Sequence, residues 1–262
     1  LGGTAIASYL MTWPPGVFLV FSMGVFIVFQ SIRDHFDGRP PDYVTFATVV
    51  SFVPGGILVL LYTKSFELSA TSFSILQPLV LFGIGIGSIV LYALATFVER
   101  EDYRPAVYPV SVGIILISLI LSSWLVYPRA IGLLENLLYR VYSFGMLTNP
   151  TGLTVGEIHP ATLEDAWRAF GPIFYVALGG LGLLVVRVVR ENRPVELLLV
   201  IWSISILSAY FTMIRFGYYL AVIVAILSAF AIWWVADTVL SLDVIIENPT
   251  EIKGYQVLGV LI

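Results

Sequence analysis

The feature that most constrains this chain is a series of apolar runs, nearly all of them long enough to cross a lipid bilayer. Helices satisfy their own backbone hydrogen bonds in lipid, whereas these runs are too long and continuous for barrel strands. A spanning helix needs about 20 residues, so we expect the first, short run to start nearer Trp13. The sequence therefore predicts an all-α polytopic membrane protein with about seven complete transmembrane helices. The runs lie near 17–32, 43–62, 75–97, 107–126, 172–190, 195–213 and 217–236.

The composition supports this class, because 59% of the residues are hydrophobic and only 11% are charged. A soluble domain is about 45–50% apolar and about 25% charged. The first residues look like the end of a further helix, and the stretch from Gly254 looks like the start of another. We therefore expect residues 1–262 to be a partial transmembrane domain with partial helices at both ends. No basic surface indicates a nucleic-acid partner, and there is no cysteine for a disulfide or thiolate site.

Arginine and lysine predict the orientation of the chain, because cytoplasmic loops carry an excess of both. With the long loop at about 128–171 outside, the inside loops hold eight of these residues and the outside loops five. Arg187, Arg190 and Arg193 cluster at one helix end and favour the inside for that end. The long loop is therefore predicted to face the exterior of the plasma membrane. Residues 33–37, Arg-Asp-His-Phe-Asp, are expected to be a solvated inside loop.

Two glycine triplets lie inside the apolar runs. Small residues let membrane helices approach closely, so both triplets are interpreted as helix-packing positions. A dinucleotide fingerprint would need a preceding strand, which the sequence does not predict. The triplets are Gly83, Gly85 and Gly87, and Gly179, Gly180 and Gly182.

A polar segment interrupts the apolar runs at residues 147–168, which read LTNPTGLTVGEIHPATLEDAWR. Thr162 is predicted to cap a short amphipathic helix, with Asp165 at the capping-box position three residues further on. Glu164 lies at the start of the same helix. Glu157, in the middle of the segment, is therefore the first candidate for chemistry.

Glu157 could ligate a hard divalent cation such as Mg²⁺ or Mn²⁺, although one carboxylate does not complete a site. Gly156 and Pro160 beside it favour a loop whose backbone can approach a ligand closely. His159 is a candidate ligand of the same metal. The alternative for both Glu157 and His159 is a solvated loop side chain.

Arg215 is the second candidate, because it lies in a very short connection between two apolar runs. Arginine near hydrocarbon is costly and is usually paired or functional. Its guanidinium can bind a phosphate through two parallel hydrogen bonds. The alternative is a side chain that extends to the membrane interface, where its charge is solvated.

Three motifs together resemble the catalytic subunit of oligosaccharyltransferase, in particular its archaeal single-subunit form. They are Thr154-Val155-Gly156-Glu157 in the long loop, Arg215-Phe-Gly-Tyr-Tyr-Leu-Ala221 two runs later, and Met11-Thr-Trp-Pro-Pro-Gly16. The resemblance implies that the chain is the second half of that family's membrane domain. The family's N-terminal helices and C-terminal soluble domain would then be absent, and the segment around Glu157 would be its long external loop.

The resemblance also implies roles for single residues. Glu157 would contribute to the Mg²⁺ or Mn²⁺ site and to the site for the acceptor asparagine. Thr154, Val155 and Gly156 would belong to the loop that holds the acceptor peptide. Arg215 would bind the pyrophosphate of the donor. The expected partners are a lipid-linked oligosaccharide, a polypeptide with Asn-x-Ser/Thr, and membrane lipid.

The implied reaction is transfer of an oligosaccharide from a lipid (pyro)phosphate to asparagine, which is protein N-glycosylation. The chain departs from the family because it has no Asp-x-Asp motif, and Trp233-Trp234 lacks a following Asp-Tyr-Gly. The fragment alone is therefore expected to be inactive. One alternative is another membrane glycosyltransferase that uses a lipid-phosphate sugar. A non-enzymatic transporter or scaffold subunit is another, although the sequence shows no repeated halves of the kind that transporters have.

Overall fold

The computed structural model of the chain describes residues 1–69, 72–126, 132 and 159–240, and most of these residues lie in helices. Two single-turn 3₁₀ helices, Pro14–Gly16 and Ile214–Phe216, are called the first and second turns below. The α-helices are α1 (Gly2–Thr12), α2 (Val17–Phe36), α3 (Asp42–Tyr62), α4 (Leu76–Arg100), α5 (Val107–Val126), α6 (Leu163–Phe170), α7 (Ile173–Arg190), α8 (Pro194–Thr212) and α9 (Gly217–Leu240).

Among the described residues, six helical segments are long and apolar enough to cross a membrane, so the chain is a polytopic membrane protein. The predicted runs coincide with α2 to α5 and α7 to α9, which confirms the helical assignment. Six of the predicted complete spans are confirmed among the described residues, and the seventh, at α5, stays a prediction, since the apolar stretch described there is Val107–Ser122. Most of the predicted loop at 128–171 lies outside the described residues. The six spans are Pro14–Phe36, Asp42–Tyr62, Leu76–Arg100, Ile173–Arg190, Pro194–Thr212 and Ile214–Asp237.

The connections between helices lie at two ends of the bundle, because successive helices run in opposite directions. The turn end holds both 3₁₀ turns, the α3–α4 connection and residues 159–172, which include α6. The opposite end holds the α2–α3, α4–α5 and α7–α8 connections. At the turn end, Gln77 Nε2 donates to the carbonyl of Pro14 at 3.5 Å, which ties α4 to the first turn. The arginine and lysine pattern predicts that the turn end faces outside.

The expectation of a solvated loop at residues 33–37 is wrong for Asp34 and His35, which are buried in the last turn of α2, whereas Phe36 and Asp37 are exposed. Asp34 is 1% exposed and His35 is 7% exposed. The His35 ring lies 4.5 Å from that of Tyr108, and its Nδ1 lies 3.6 Å from Oε1 of Glu99. Hydropathy ends the helix too early here, since α4 and α5 bury the polar turns that follow the apolar run.

Close helix packing is confirmed for one glycine in each triplet. A Cβ on Gly180 of α7 would overlap the carbonyl oxygen of Leu227 in α9, and a Cβ on Gly85 would lie 3.0 Å from Val53. A Cβ on the other four glycines would meet no atom within 4 Å in the described part of the chain, so the packing interpretation stays a prediction for them. With 3.6 residues per turn, alternate positions point to different sides of a helix, and only one of three faces the neighbour.

Candidate functional site

The first and second turns have the same local construction. In each, the last residue of the preceding helix is a threonine whose Oγ1 donates to a serine carbonyl one turn back, Thr12 to Ser8 at 2.8 Å and Thr212 to Ser208 at 2.9 Å. The next residue is extended, and a single 3₁₀ turn then leads into a long helix. The two turns are therefore structurally equivalent, which the sequence analysis missed. The only local signal was the repeated Ser-x-x-x-Thr spacing.

The two turns pack against each other through aromatic side chains. Phe216 of the second turn lies edge-on to Phe18, with ring centroids 5.2 Å apart, and 6.1 Å from Trp13. Trp13 stacks on Tyr219 at 6.0 Å, with an angle of 21° between the ring planes. This aromatic cluster joins the start of α2 to the start of α9, and it fixes the backbone that carries Arg215.

Arg215 lies half-buried within the second turn, with its Cζ 5.6 Å from the ring centroid of Phe216. Its Nε is buried and has no hydrogen-bond partner in the described residues, among which Arg215 also forms no ion pair. An unmet buried donor on a charged group is costly, and an anion would satisfy it.

His159 connects the polar segment to the second turn through its backbone. Its carbonyl oxygen accepts a hydrogen bond from the N–H of Ile214 at 3.0 Å. The His159 charge also helps to hold the pKa of Asp165 below its usual range, after the larger effect of hydrogen bonds from Thr162. The structure thus brings one predicted site residue, His159, next to another, Arg215. A shared metal with Glu157 stays a prediction.

The predicted capping box at the start of α6 is confirmed. Thr162 Oγ1 accepts from the N–H of Asp165 at 3.2 Å, and the Asp165 carboxylate accepts from the N–H of Thr162 at 2.8 Å. α6 ends at Gly171, whose φ of +61° and ψ of −150° favour glycine. Both helix ends are therefore defined locally, and α6 holds the chain from His159 in a fixed path to α7.

Thr162→Ala is expected to destabilise the first turn of α6 by about 1 kcal/mol, because it removes the capping hydroxyl. These hydrogen bonds lower the pKa of Asp165 in the folded state. The contribution of Asp165 to the stability of α6 is therefore complete above its unfolded pKa of about 3.9. It is lost as the pH falls through the lower folded pKa. Amide hydrogen exchange in α6 measures both effects. Thr162→Ser keeps the hydroxyl and should exchange like the wild type; faster exchange in Thr162→Ser than in Thr162→Ala would contradict the cap.

Two tyrosine hydroxyls at the turn end are buried without hydrogen-bond partners among the residues that the structure describes. They belong to Tyr9 and Tyr210. The Tyr210 ring packs beside the second turn, since a Cβ on Gly217 would lie 3.4 Å from its Cε2. Both lie inside apolar helices, where hydropathy alone does not distinguish a tyrosine from its neighbours. The sequence feature that these two residues share is their position, since each tyrosine lies about one helical turn before a 3₁₀ turn.

The described ranges do not contain a group of three or more His, Cys, Asp or Glu side chains placed to hold a metal ion. The Mg²⁺ or Mn²⁺ site at Glu157 therefore stays a prediction. The motif Thr154, Val155, Gly156 and Glu157 lies outside the described residues. Its predicted roles are not tested by the structure.

The fold and the site define a polytopic helical membrane protein in which paired turns hold a half-buried arginine at one end of the bundle. No protein-family model matches the chain. In an alignment 298 positions long, the chain is 27% identical to the dolichyl-monophosphooligosaccharide–protein glycotransferase AglB of Haloferax volcanii. The alignment covers 88% of this chain and 28% of that protein. The chain is 26% identical over 253 residues to dolichyl-phosphooligosaccharide-protein glycotransferase 3 of Archaeoglobus fulgidus, covering 90% and 28%.

Solved structures show the same fold. The archaeal oligosaccharyltransferase AglB from Archaeoglobus fulgidus, in complex with an inhibitory peptide and a dolichol-phosphate, superimposes with a TM-score of 0.80 at 24% identity. The match covers 99% of this chain and 31% of that one. A complex of the Archaeoglobus enzyme with Zn and sulfate gives a TM-score of 0.62 at 22% identity, covering 90% and 26%. The resemblance is confirmed: the chain is a homologue of archaeal oligosaccharyltransferases and spans under a third of the length of its curated relatives.

Proposed function

We propose that the chain provides part of the active site of a membrane oligosaccharyltransferase. The observation that carries the proposal is the Arg215 turn, where a guanidinium with an unmet Nε adjoins the end of the polar segment at His159. Homology to the archaeal enzymes supports it across about nine-tenths of the chain. The reaction would be transfer of an oligosaccharide from a lipid-linked phosphate to an asparagine in Asn-x-Ser/Thr.

Arg215 would bind the donor phosphate. In the transfer, the bond between the sugar and the phosphate oxygen breaks, a bond from the asparagine nitrogen to the sugar forms, and the amide loses a proton. Negative charge grows on the leaving phosphate, so a preorganised guanidinium stabilises the transition state. The names of the curated relatives specify phospho- and monophospho-oligosaccharides. Arg215 would therefore bind the phosphate next to the sugar, which is present whether the donor has one phosphate or two.

Glu157 would act on the acceptor side, with Thr154, Val155 and Gly156 in the loop that holds the peptide. Glu157 precedes His159 by two residues, and two residues of chain span at most about 7 Å. His159 is hydrogen-bonded beside Arg215, which supports a site in which the donor and acceptor groups would meet. Glu157 would also supply one carboxylate to Mg²⁺ or Mn²⁺, which would offset phosphate charge when bound. Its other ligands would come from outside this chain.

The proposed partners are a lipid-linked oligosaccharide, an acceptor polypeptide and the surrounding lipid. The related Archaeoglobus structure contains a dolichol-phosphate and a peptide, which supports both ligand classes. The arginine and lysine pattern supports a turn end that faces outside the plasma membrane. A half-buried Arg215 at that end would meet a lipid phosphate at the depth of the headgroups.

Arg215→Ala in the full-length protein is expected to raise the KM for the lipid-linked donor about 10- to 100-fold, because charge-assisted hydrogen bonds contribute about 1.5–3 kcal/mol each. The KM for an acceptor peptide should stay unchanged. Steady-state transfer assays with each substrate varied in turn measure both constants. Arg215→Lys keeps the charge without the two parallel hydrogen bonds, so it should lie between Arg215→Ala and the wild type.

Arg168→Ala is the matched control. Arg168 is an exposed arginine at the same end of the bundle and pairs with Glu164 at 2.6 Å within α6. Its removal should leave the donor KM within about twofold of the wild type, as for a solvent-exposed pair. An unchanged donor KM in Arg215→Ala, or an equal rise in Arg168→Ala, would overturn the phosphate-binding role.

A further inference from the structure

Helices α2 and α8 are joined by polar contacts at the end of the bundle opposite the turns. Asn192, in the α7–α8 connection, donates through Nδ2 to Asp34 Oδ1 at 3.0 Å and to Asp37 Oδ2 at 2.6 Å. Its Oδ1 accepts from Gln30 Nε2 at 3.0 Å. Gln30 and Asp34 are at most 1% exposed. The side chain of Asn192 is therefore fixed by three hydrogen bonds to the last turns of α2 and the residue that follows it.

A second contact joins the same two helices further along. Ser22 Oγ of α2 donates to Ser205 Oγ of α8 at 2.9 Å, and both side chains are at most 1% exposed. Ser205 Oγ donates in turn to the carbonyl of Ile201 at 2.9 Å in its own helix. The shorter contact of Ser22 is the one to Ser205, since its Oγ also lies 3.2 Å from the carbonyl oxygen of Phe18 in α2; the hydroxyl pair therefore links α8 to α2 at this level.

The third contact lies at the turn end, where Phe18 of α2 meets Phe216 of the second turn at 5.2 Å. The three contacts join α2 to α8 and to the residues just before and after it, and together we call them the α2–α8 seam: Asn192 with Gln30, Asp34 and Asp37, then Ser22 with Ser205, then Phe18 with Phe216. Since α8 leads directly into the second turn, its position along α2 determines where Arg215 lies.

We infer that Asn192 and Ser205 are positioning residues for the donor-phosphate site, acting on Arg215 through α8. The inference rests on the proposed function of Arg215. Asn192 itself is too distant to touch the donor, because the 19 residues of α8 extend for about 28 Å. A helix transmits a shift at one end to the other because its backbone hydrogen bonds keep its length fixed.

The test measures steady-state transfer by the full-length protein with Asn192→Ala and Ser205→Ala. Each is expected to raise the donor KM about three- to tenfold. Ser205→Ala removes one hydrogen bond between the helices, and Asn192→Ala removes three to Gln30, Asp34 and Asp37. The acceptor-peptide KM should not change. Ser228→Ala is the matched control, because this buried hydroxyl donates to Ala225 of its own helix. It should leave both constants at the wild-type value.

A second arm repeats both variants in the Arg215→Ala background. If the seam acts by positioning Arg215, neither variant should change the donor KM further once the guanidinium is removed. A loss of active enzyme with both KM values unchanged, a parallel rise in both, or a further rise in the Arg215→Ala background would overturn the inference. Ser205→Ala keeps the test decisive if Asn192→Ala fails to fold, since it removes only one oxygen.

Failure of the inference and failure of the proposed function give different results. If Arg215→Ala raises the donor KM and neither Asn192→Ala nor Ser205→Ala does, the positioning role is wrong and the phosphate role stands. If Arg215→Ala leaves the donor KM unchanged, the proposed function is wrong and the inference falls with it.

Discussion

Glu157→Gln in the full-length protein is expected to lower the transfer rate at saturating donor and acceptor about 10²- to 10³-fold. The substitution keeps the shape of the side chain and removes its negative charge. A group that stabilises the transition state by charge contributes a factor of this size when it is preorganised in a dry site. The measurement is the rate of glycosylated peptide formation by mass spectrometry. The donor KM, which depends on Arg215, should change much less.

The matched control is Glu164→Gln, the same chemical change seven residues further along the chain. Glu164 is exposed and pairs with Arg168 on the surface of α6. Surface pairs of this kind contribute about 0–1 kcal/mol to stability, so transfer should remain within about twofold of the wild type. Transfer by Glu157→Gln at the rate of Glu164→Gln would show that Glu157 is the solvated loop acid of the alternative interpretation.

The sequence was sufficient for features that depend on neighbouring residues. The apolar runs gave the positions of α2 to α5 and α7 to α9, since long hydrophobic segments have few alternatives to a helix in lipid. Thr162 and Asp165 gave the start of α6, because a capping box is a contact between residues three apart. Both kinds of signal are local, and neither needs the rest of the fold.

The environment of the site depends on contacts that are distant in the sequence. The cost of an arginine near lipid identified Arg215, but the packing of Trp13 against Phe216 joins residues about 200 positions apart and has no local signature. The burial of Asp34 has the same origin, because helices from elsewhere in the chain cover a turn that looked solvated. The fold class was therefore predictable, whereas the α2–α8 seam and the paired turns required the structure.

Gly180→Ala is expected to give the largest loss of stability among single-methyl substitutions at the glycines of α7. The added Cβ would overlap the backbone oxygen of Leu227 and lie 3.2 Å from Cβ of Ala231, both in α9. A backbone atom cannot rotate away, so α7 and α9 must separate. Overpacking of this kind costs about 1–3 kcal/mol. Thermal unfolding of the purified protein in detergent or nanodiscs measures the loss.

Gly179→Ala separates this steric effect from helix propensity. A Cβ on Gly179 would meet no described atom within 4 Å, although it lies one residue earlier in the same helix. Alanine stabilises a helix by about 1 kcal/mol relative to glycine, so Gly179→Ala should be as stable as the wild type or more so. Equal unfolding temperatures for both variants would show that α7 and α9 do not approach as closely as Gly180 indicates. A loss of thermal stability in Gly180→Ala alone would confirm that Gly180 of α7 packs directly on α9, the helix that follows the Arg215 turn.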